Sequence, residues 1–175
     1  MEEIRLRPIG IAHTLATDDE VRDRGKDLEY TIDILPEFAD GLEGMDGFSH
    51  LIVLFHFDKL RAEQKGVLKV RPKKFLRRGL DLGQLPTVGV FALDSPSRPN
   101  PIGFSAVKVL KRDGPHLVVR GLEAFDATPV IDIKPYTPER RVSHIKVPTW
   151  YSALERIARQ KEAGRQRSKA PRRRH

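Results

Sequence analysis

Between residues 28 and 133 the apolar residues fall into short runs broken by proline and glycine, and no amphipathic helix pattern separates one run from the next. Leu28, Tyr30, Ile32 and Ile34 alternate with polar neighbours, the period of a half-buried strand, and Pro36 stops the run. Ser49 to Phe57 is almost continuously apolar, as a strand covered on both faces must be. Thr87 to Leu93 and Thr128 to Ile133 read as further strands. Ile102 to Leu110 and Leu117 to Leu122, joined through Asp113-Gly114, read as a hairpin. Residues 4–14 start a first strand, residues 16–27 read as a charged loop, and Glu37 to Gly47 reads as a short helical turn plus loop. Strands without intervening ten-residue helices exclude a parallel α/β sheet and predict a mainly all-β chain, a small antiparallel β-barrel.

The C-terminal pattern differs. From Thr149, a candidate cap, Trp150, Leu154 and Ile157 share one helical face. Beyond Gly164 the chain is polar and basic, which predicts disorder. The chain thus divides into a barrel domain over 1–147, a helix over 148–163 and a basic tail over 164–175.

Charge is unevenly spread. The whole chain carries +8. Residues 59–78 hold nine Lys/Arg and one acid, and residues 155–175 hold nine Lys/Arg and two acids, so everything else sums to −7. A mildly acidic body with two basic segments points to a polyanion, most simply nucleic acid; a solvated loop and tail are the bland alternative. Cysteine is absent, which excludes disulfides, thiolate metal sites and a cysteine nucleophile. No run of about 20 apolar residues exists, and the acidic Met1-Glu2-Glu3 start lacks a signal-peptide pattern, so the expected location is the cytoplasm. Phosphate-loop, dinucleotide-binding and zinc-protease signatures are missing, and the six histidines lack metal-ligand spacing. His50 and His56 face one side of a strand, either as site partners or as satisfied rim residues.

Three segments have the residue types that chemistry uses: Gly41 to His50, Asp94 to Gly103, and Asp126 to Tyr136. The second has three prolines in ten residues around Arg98 and Asn100. Proline fixes φ, so this loop is either a preorganised polar surface or a barrel corner. In the third, unbroken alternation would put Asp126, Asp132, Lys134 and Tyr136 on one face, as a site or as a surface ion-pair ladder.

Arg98-Pro-Asn-Pro-Ile-Gly103, followed by Thr128-Pro-Val-Ile-Asp-Ile-Lys-Pro-Tyr136, resembles the TsaA/TrmO (YaeB-like) family of S-adenosylmethionine-dependent tRNA methyltransferases. The matching stretches are Pro8-Ile9-Gly10, Gly41 to His50, Ser95 to Gly103 and Gly121 to Tyr136. The resemblance implies a small barrel, a homodimer with the cofactor near the subunit interface, and methylation of N6 of threonylcarbamoyl-adenosine 37 of tRNA. It implies cofactor contacts from Asp58 and Lys59, from Asp94, Ser95, Arg98, Asn100, Pro101 and Phe104, and from Asp126, Thr128, Pro129 and Val130. Asp126, then Asp132, is the candidate to orient the amine and take its proton, and Tyr136 is the candidate to stack on the base or hydrogen-bond it. Lys69, Arg71, Lys73, Lys74, Arg77, Arg78 and Lys134, with Arg165, Arg167, Arg172, Arg173 and Arg174, are the candidate phosphate contacts. Two departures stand out. Asp94 occupies a position where many members carry Arg, and residues 16–27 lack the family's Pro-Arg-Gln stretch. The same fold acting on another RNA or a small molecule, and a non-catalytic binding barrel, are the rival readings.

Overall fold

A computed structural model describes residues 3–169, with side chains through Arg165. Its elements are β1 (Gly10–His13), α1 (Asp18–Arg24), β2 (Glu29–Ile34), β3 (His50–His56), β4 (Lys69–Val70), α2 (Lys74–Arg77), β5 (Val88–Gly89), β6 (Ile102–Asp113), β7 (His116–Arg120), β8 (Thr128–Pro135) and α3 (Thr149–Lys169), with several single 3-10 turns between them. By chain contacts they group into two compact units, residues 1–66 with 96–141, and residues 67–95 with 142–175. The basic segment from residue 67 therefore groups with the C-terminal helix.

The first unit is the expected barrel. Six antiparallel strands close in the order β1-β2-β7-β6-β3-β8. Closure leaves no sheet edge unpaired. Inward positions follow the period of two: Leu51, Val53 and Phe55 on β3 meet Val107, Ile32, Leu117, Val119 and Val130 in one apolar core. At Gly103 an added Cβ would lie 2.3 Å from the Phe55 ring, and at Gly10 it would lie 2.5 Å from the Asp33 carbonyl oxygen. Both glycines sit in family-like motifs, and both are there because another group occupies the space of a side chain. Tyr30 is fully buried; its hydroxyl faces the Glu123–Ala124 backbone without completing a well-formed hydrogen bond. Burial, then the Glu123 charge, pushes its pKa up to about 12.

The second unit has its own small core of Phe75, Leu80, Leu85, Leu154 and Ala158, with Trp150, Tyr151 and Ile157 packed against it. Arg78 fastens α2 to α3: Nε donates to Glu162 at 2.7 Å and Nη1 to Glu155 at 2.9 Å.

Several local expectations change. Residues 16–27 contain α1, which has no apolar stripe and is held by a capping box. The Thr17 hydroxyl accepts from the Glu20 N–H while Glu20 Oε2 accepts from the Thr17 N–H. Of Thr87 to Leu93 only Val88–Gly89 is strand, since Val90–Ala92 turns as a 3-10 helix. Thr149 is the first helical residue, not the cap: the Pro148 carbonyl accepts from the Tyr151 and Ser152 N–H groups. The helix runs to Lys169, past the expected end at 163, and Lys161 and Glu162 tie it to Gly79 and Arg78. Residues 170–175, the end of the expected disordered tail, lie outside the described residues.

Gly103→Ala forces the Phe55 ring off its rotamer or displaces β6. The expected cost is about 1–3 kcal/mol, read as a lower urea midpoint with an unchanged m-value.

Candidate functional site

A cleft in the barrel unit, enclosing about 450 Å³ of non-protein space that opens to solvent, is lined by Phe57, Asp58, Lys59, Leu60, Pro96, Glu123, Ala124, Phe125 and Thr128. Two chain segments build most of it, and Pro96 of the proline-rich loop completes it. The first is the exit of β3, where the Phe57 N–H donates to the Pro101 carbonyl at 2.8 Å and the Phe57 ring meets Phe55 edge-on, with ring centroids 5.2 Å apart. The second is the 123–128 turn. Glu123 and Ala127 both have positive φ, 56° and 60°, a conformation costly for residues with a Cβ. Two such residues within five positions mark a turn that the surrounding structure over-determines, as happens at binding sites. The Arg22 guanidinium carbon and the Lys59 ammonium sit 4.7 Å and 5.7 Å from the Phe125 ring centroid, fixing the cleft rim.

Among the expected cofactor residues, Asp58, Lys59 and Thr128 line the cleft. Val130 is fully buried in the core, and Pro129 pairs with Ile11 on the outward side of β8. Phe104 is 62% exposed on the outer face of β6, opposite Leu54. Pro101 contributes its carbonyl to the β3 exit, while Asn100 is exposed and accepts from the Ile102 N–H. Arg98 is half-buried in the loop. Asp94 and Ser95 fall in the second unit. The residues that sequence reasoning did not single out are Phe57, Leu60, Pro96, Glu123, Ala124 and Phe125. Glu123 to Phe125 stand inside the motif-bearing stretch, but their left-handed turn leaves no compositional trace because neither positive-φ residue is glycine.

The four polar residues of the third segment do not share a face. A register shift opposite Leu54 and Phe55 changes the phase of β8: Val130 pairs with Phe55, and Asp132 pairs with Leu54. Asp132, Lys134 and Tyr136 thus point outward, with Asp132 ion-paired to Lys134 at 2.5 Å. Asp126 precedes the strand and turns to the end of β1. Its Oδ1 accepts from the Thr14 N–H at 3.1 Å and lies 3.2 Å from His13 Nδ1. The Thr14 N–H first, then His13, holds the Asp126 carboxyl below its usual pKa. Held in this way, Asp126 clamps the turn to the end of β1. His50 and His56 do share the outer face, at opposite ends of β3, about 20 Å apart at strand rise, too far to act on one group.

The candidate phosphate contacts divide as well. Arg78 is committed to Glu155 and Glu162, Arg71 donates to Thr87 Oγ1 and the Leu82 carbonyl, and Lys74 donates to the Tyr151 hydroxyl at 2.9 Å. Lys69, Lys73, Arg77 and Arg165 are exposed, with Arg165 alongside Gly79. The Arg167 side chain and Arg172, Arg173 and Arg174 lie outside the described residues. Among those described, no histidine and carboxylate cluster fits a metal ion, and no helix is long and apolar enough to cross a membrane.

A carboxyl held low in the folded state stabilises the fold above its unfolded pKa of about 4 and loses that contribution as pH falls through the lower folded value. Asp126→Asn is therefore expected to lower neutral-pH stability, by under about 1 kcal/mol because the side chain is 51% exposed. The gap from the parent closes as pH falls from about 5 towards 2, measurable by denaturant unfolding across that range.

Comparison with known proteins agrees with this architecture. A Pyrococcus abyssi protein named as a probable S-adenosyl-L-methionine-binding protein is 40% identical over 137 residues, covering 76% of this chain and 68% of the relative. A Methanothermobacter thermautotrophicus protein of the same name is 39% identical over 137 residues, covering 77% and 90%. A crystal structure of TrmO superposes with a TM-score of 0.64 at 28% identity, over 85% of this chain and 64% of that one. TrmO from Pseudomonas aeruginosa gives 0.63 at 27%, over 83% and 61%. The chain thus spans less than two thirds of either solved chain. Residues 22–140 match the family described as the tRNA-methyltransferase O N-terminal domain. The chain belongs to that family.

Proposed function

We propose that this protein binds S-adenosylmethionine in the cleft of the barrel unit and transfers its methyl group to a nucleobase nitrogen of tRNA. The observation that carries this is the lining itself: aromatic and aliphatic walls from Phe57, Leu60, Pro96, Ala124 and Phe125, with Asp58, Lys59, Glu123 and Thr128 at the polar positions. Those residue types fit the cofactor. A purine needs apolar walls, a ribose needs hydroxyl acceptors such as Asp58, and an amino-acid carboxylate needs a cation such as Lys59. Anionic Asp58 and Glu123 also suit a positively charged sulfur centre.

When bound, the cofactor supplies an electrophilic methyl group on sulfur, and no metal is required. The protein's part is to hold donor and acceptor in line within a water-poor space. Phe57 and Phe125 exclude water there. Glu123 and Asp58 are the cleft's own carboxylates, and one of them takes the proton that the acceptor nitrogen loses as it gains the methyl. Asp126 instead acts on the turn, pinning residues 123–128 to the end of β1. Asp132 and Tyr136, outward on β8, belong to a face that meets RNA or a second subunit. With Phe104 62% exposed beside Leu54, that face supports the homodimer reading. N6 of the threonylcarbamoyl-adenosine beside the anticodon is the acceptor that the family implies, and it is part of the same proposal. The relatives named for S-adenosylmethionine binding support the cofactor assignment.

Titration calorimetry with S-adenosylmethionine tests the cleft. Saturable binding is expected, weakened about tenfold or more by Phe125→Ala, in line with about 1–3 kcal/mol for loss of an aromatic wall against a base. Binding that is lost in Asn100→Ala and untouched in Phe125→Ala moves the cofactor to the proline-rich loop and overturns the cleft assignment. Nucleoside mass spectrometry of tRNA incubated with protein and cofactor then identifies the methylated base.

A further inference from the structure

The second unit carries sixteen Lys/Arg and four acids, a formal +12, which leaves −4 on the barrel unit. Two of its four acids are consumed inside the unit: Glu155 and Glu162 both bind Arg78. Glu162 is held low first by Arg78, with lesser help from Arg159 and Arg165. Several cations of the 69–78 segment are used internally too: Arg71, Lys74 and Arg78 all make intra-unit bonds. On α3, Leu154 and Ala158 are buried and Lys161 donates to the Gly79 carbonyl, which fixes the inward face. Arg156 and Arg159, three residues apart, then fall on the outward face, and both are exposed. Like charges one turn apart repel, so this row is tolerated by the fold but is best neutralised by a polyanion.

We propose that the outward face of α3, with Arg156 and Arg159 as its centre, docks the RNA phosphate backbone, and that Arg71, Lys74 and Arg78 build the unit that presents it. This rests on the reading that the methyl acceptor is carried by an RNA. The contact is sequence-independent, because guanidinium groups on a helix surface meet phosphates without a groove to read. Arg71, Lys74 and Arg78 change from phosphate ligands to structural groups, and the helix supplies the contact that the 71–78 segment was expected to make.

The test uses the full chain, without cofactor, and a short fluorescein-labelled RNA hairpin, with the dissociation constant measured over about 50–200 mM KCl. The double variant Arg156→Gln/Arg159→Gln is expected to melt at the parent temperature, to bind the hairpin several-fold more weakly, and to lose about 1.4–1.8 from the magnitude of the log–log salt slope, the yield of two phosphate contacts. Arg71→Gln is expected to lower the melting temperature and leave the slope unchanged. An unchanged slope in a folded double variant overturns the proposal, as does a slope that falls with Arg71→Gln alone. Salt-resistant binding to phosphatidylglycerol vesicles, in place of the hairpin, also overturns it. Calorimetry with S-adenosylmethionine on the double variant keeps this separate from the cleft: cofactor binding is expected to be unchanged, and its absence in the parent protein refutes the cofactor reading without touching RNA docking.

Discussion

The Phe55 ring packed on Gly103 is the contact on which the barrel and its cleft depend. Phe55 is 2% exposed and pairs with Gly103 on β6 and with Val130 on β8, so one side chain registers three strands. No Cβ fits at Gly103, the second residue of β6. From there the Phe57 N–H takes the Pro101 carbonyl, and the Phe57 ring, edge-on to Phe55, becomes a wall of the cleft. Core packing and site construction are therefore the same event at this corner.

The opposite wall obeys a different constraint. Glu123 to Thr128 make a turn with two non-glycine residues in left-handed conformation, each costing about 1–3 kcal/mol. Something must hold such a turn, and Asp126 does so by accepting from the Thr14 N–H at the end of β1. Its lowered pKa is the mark of that work. A carboxylate already satisfied by a backbone amide is settled in its charged form, whereas a proton acceptor in a methyl transfer needs to gain by protonation. The carboxylates that face the cleft, Asp58 and Glu123, lie at the end of β3 and in this turn.

Division of labour among the cations follows the same logic. Counted along the chain, Arg71, Lys74 and Arg78 are indistinguishable from Lys69 and Lys73. In the folded unit Arg78 meets two carboxylates and Lys74 meets a tyrosine, so both are committed to packing α2 on α3. Basic surface remains at Lys69, Lys73 and Arg77 and on the helix, whose Glu155 and Glu162 are turned onto Arg78.

The barrel class, the positions of β2, β3 and the β6–β7 hairpin, and the apolar face of α3 were legible in the sequence, because period-two alternation, Asp113-Gly114 and the Trp150-Leu154-Ile157 spacing are local signals. The family resemblance also led to Asp58, Lys59 and Thr128, which line the cleft. Other features were not legible. A capping box can hold α1 without an apolar stripe, and a register shift on β8 reversed the face of Asp132, Lys134 and Tyr136 relative to Thr128 and Val130. Alternation predicts facing only while the ladder is unbroken, and a single extra residue shifts every side chain beyond it. By itself, then, the sequence determined most of the strand segments and the β6–β7 hairpin, that two basic segments exist, and which family the strings resemble. Tertiary structure alone decided which charges are spent on each other and which carboxylates face the cleft, since both depend on partners distant in the chain, 77 and 84 residues for Arg78 with Glu155 and Glu162 and 112 for Asp126 with Thr14.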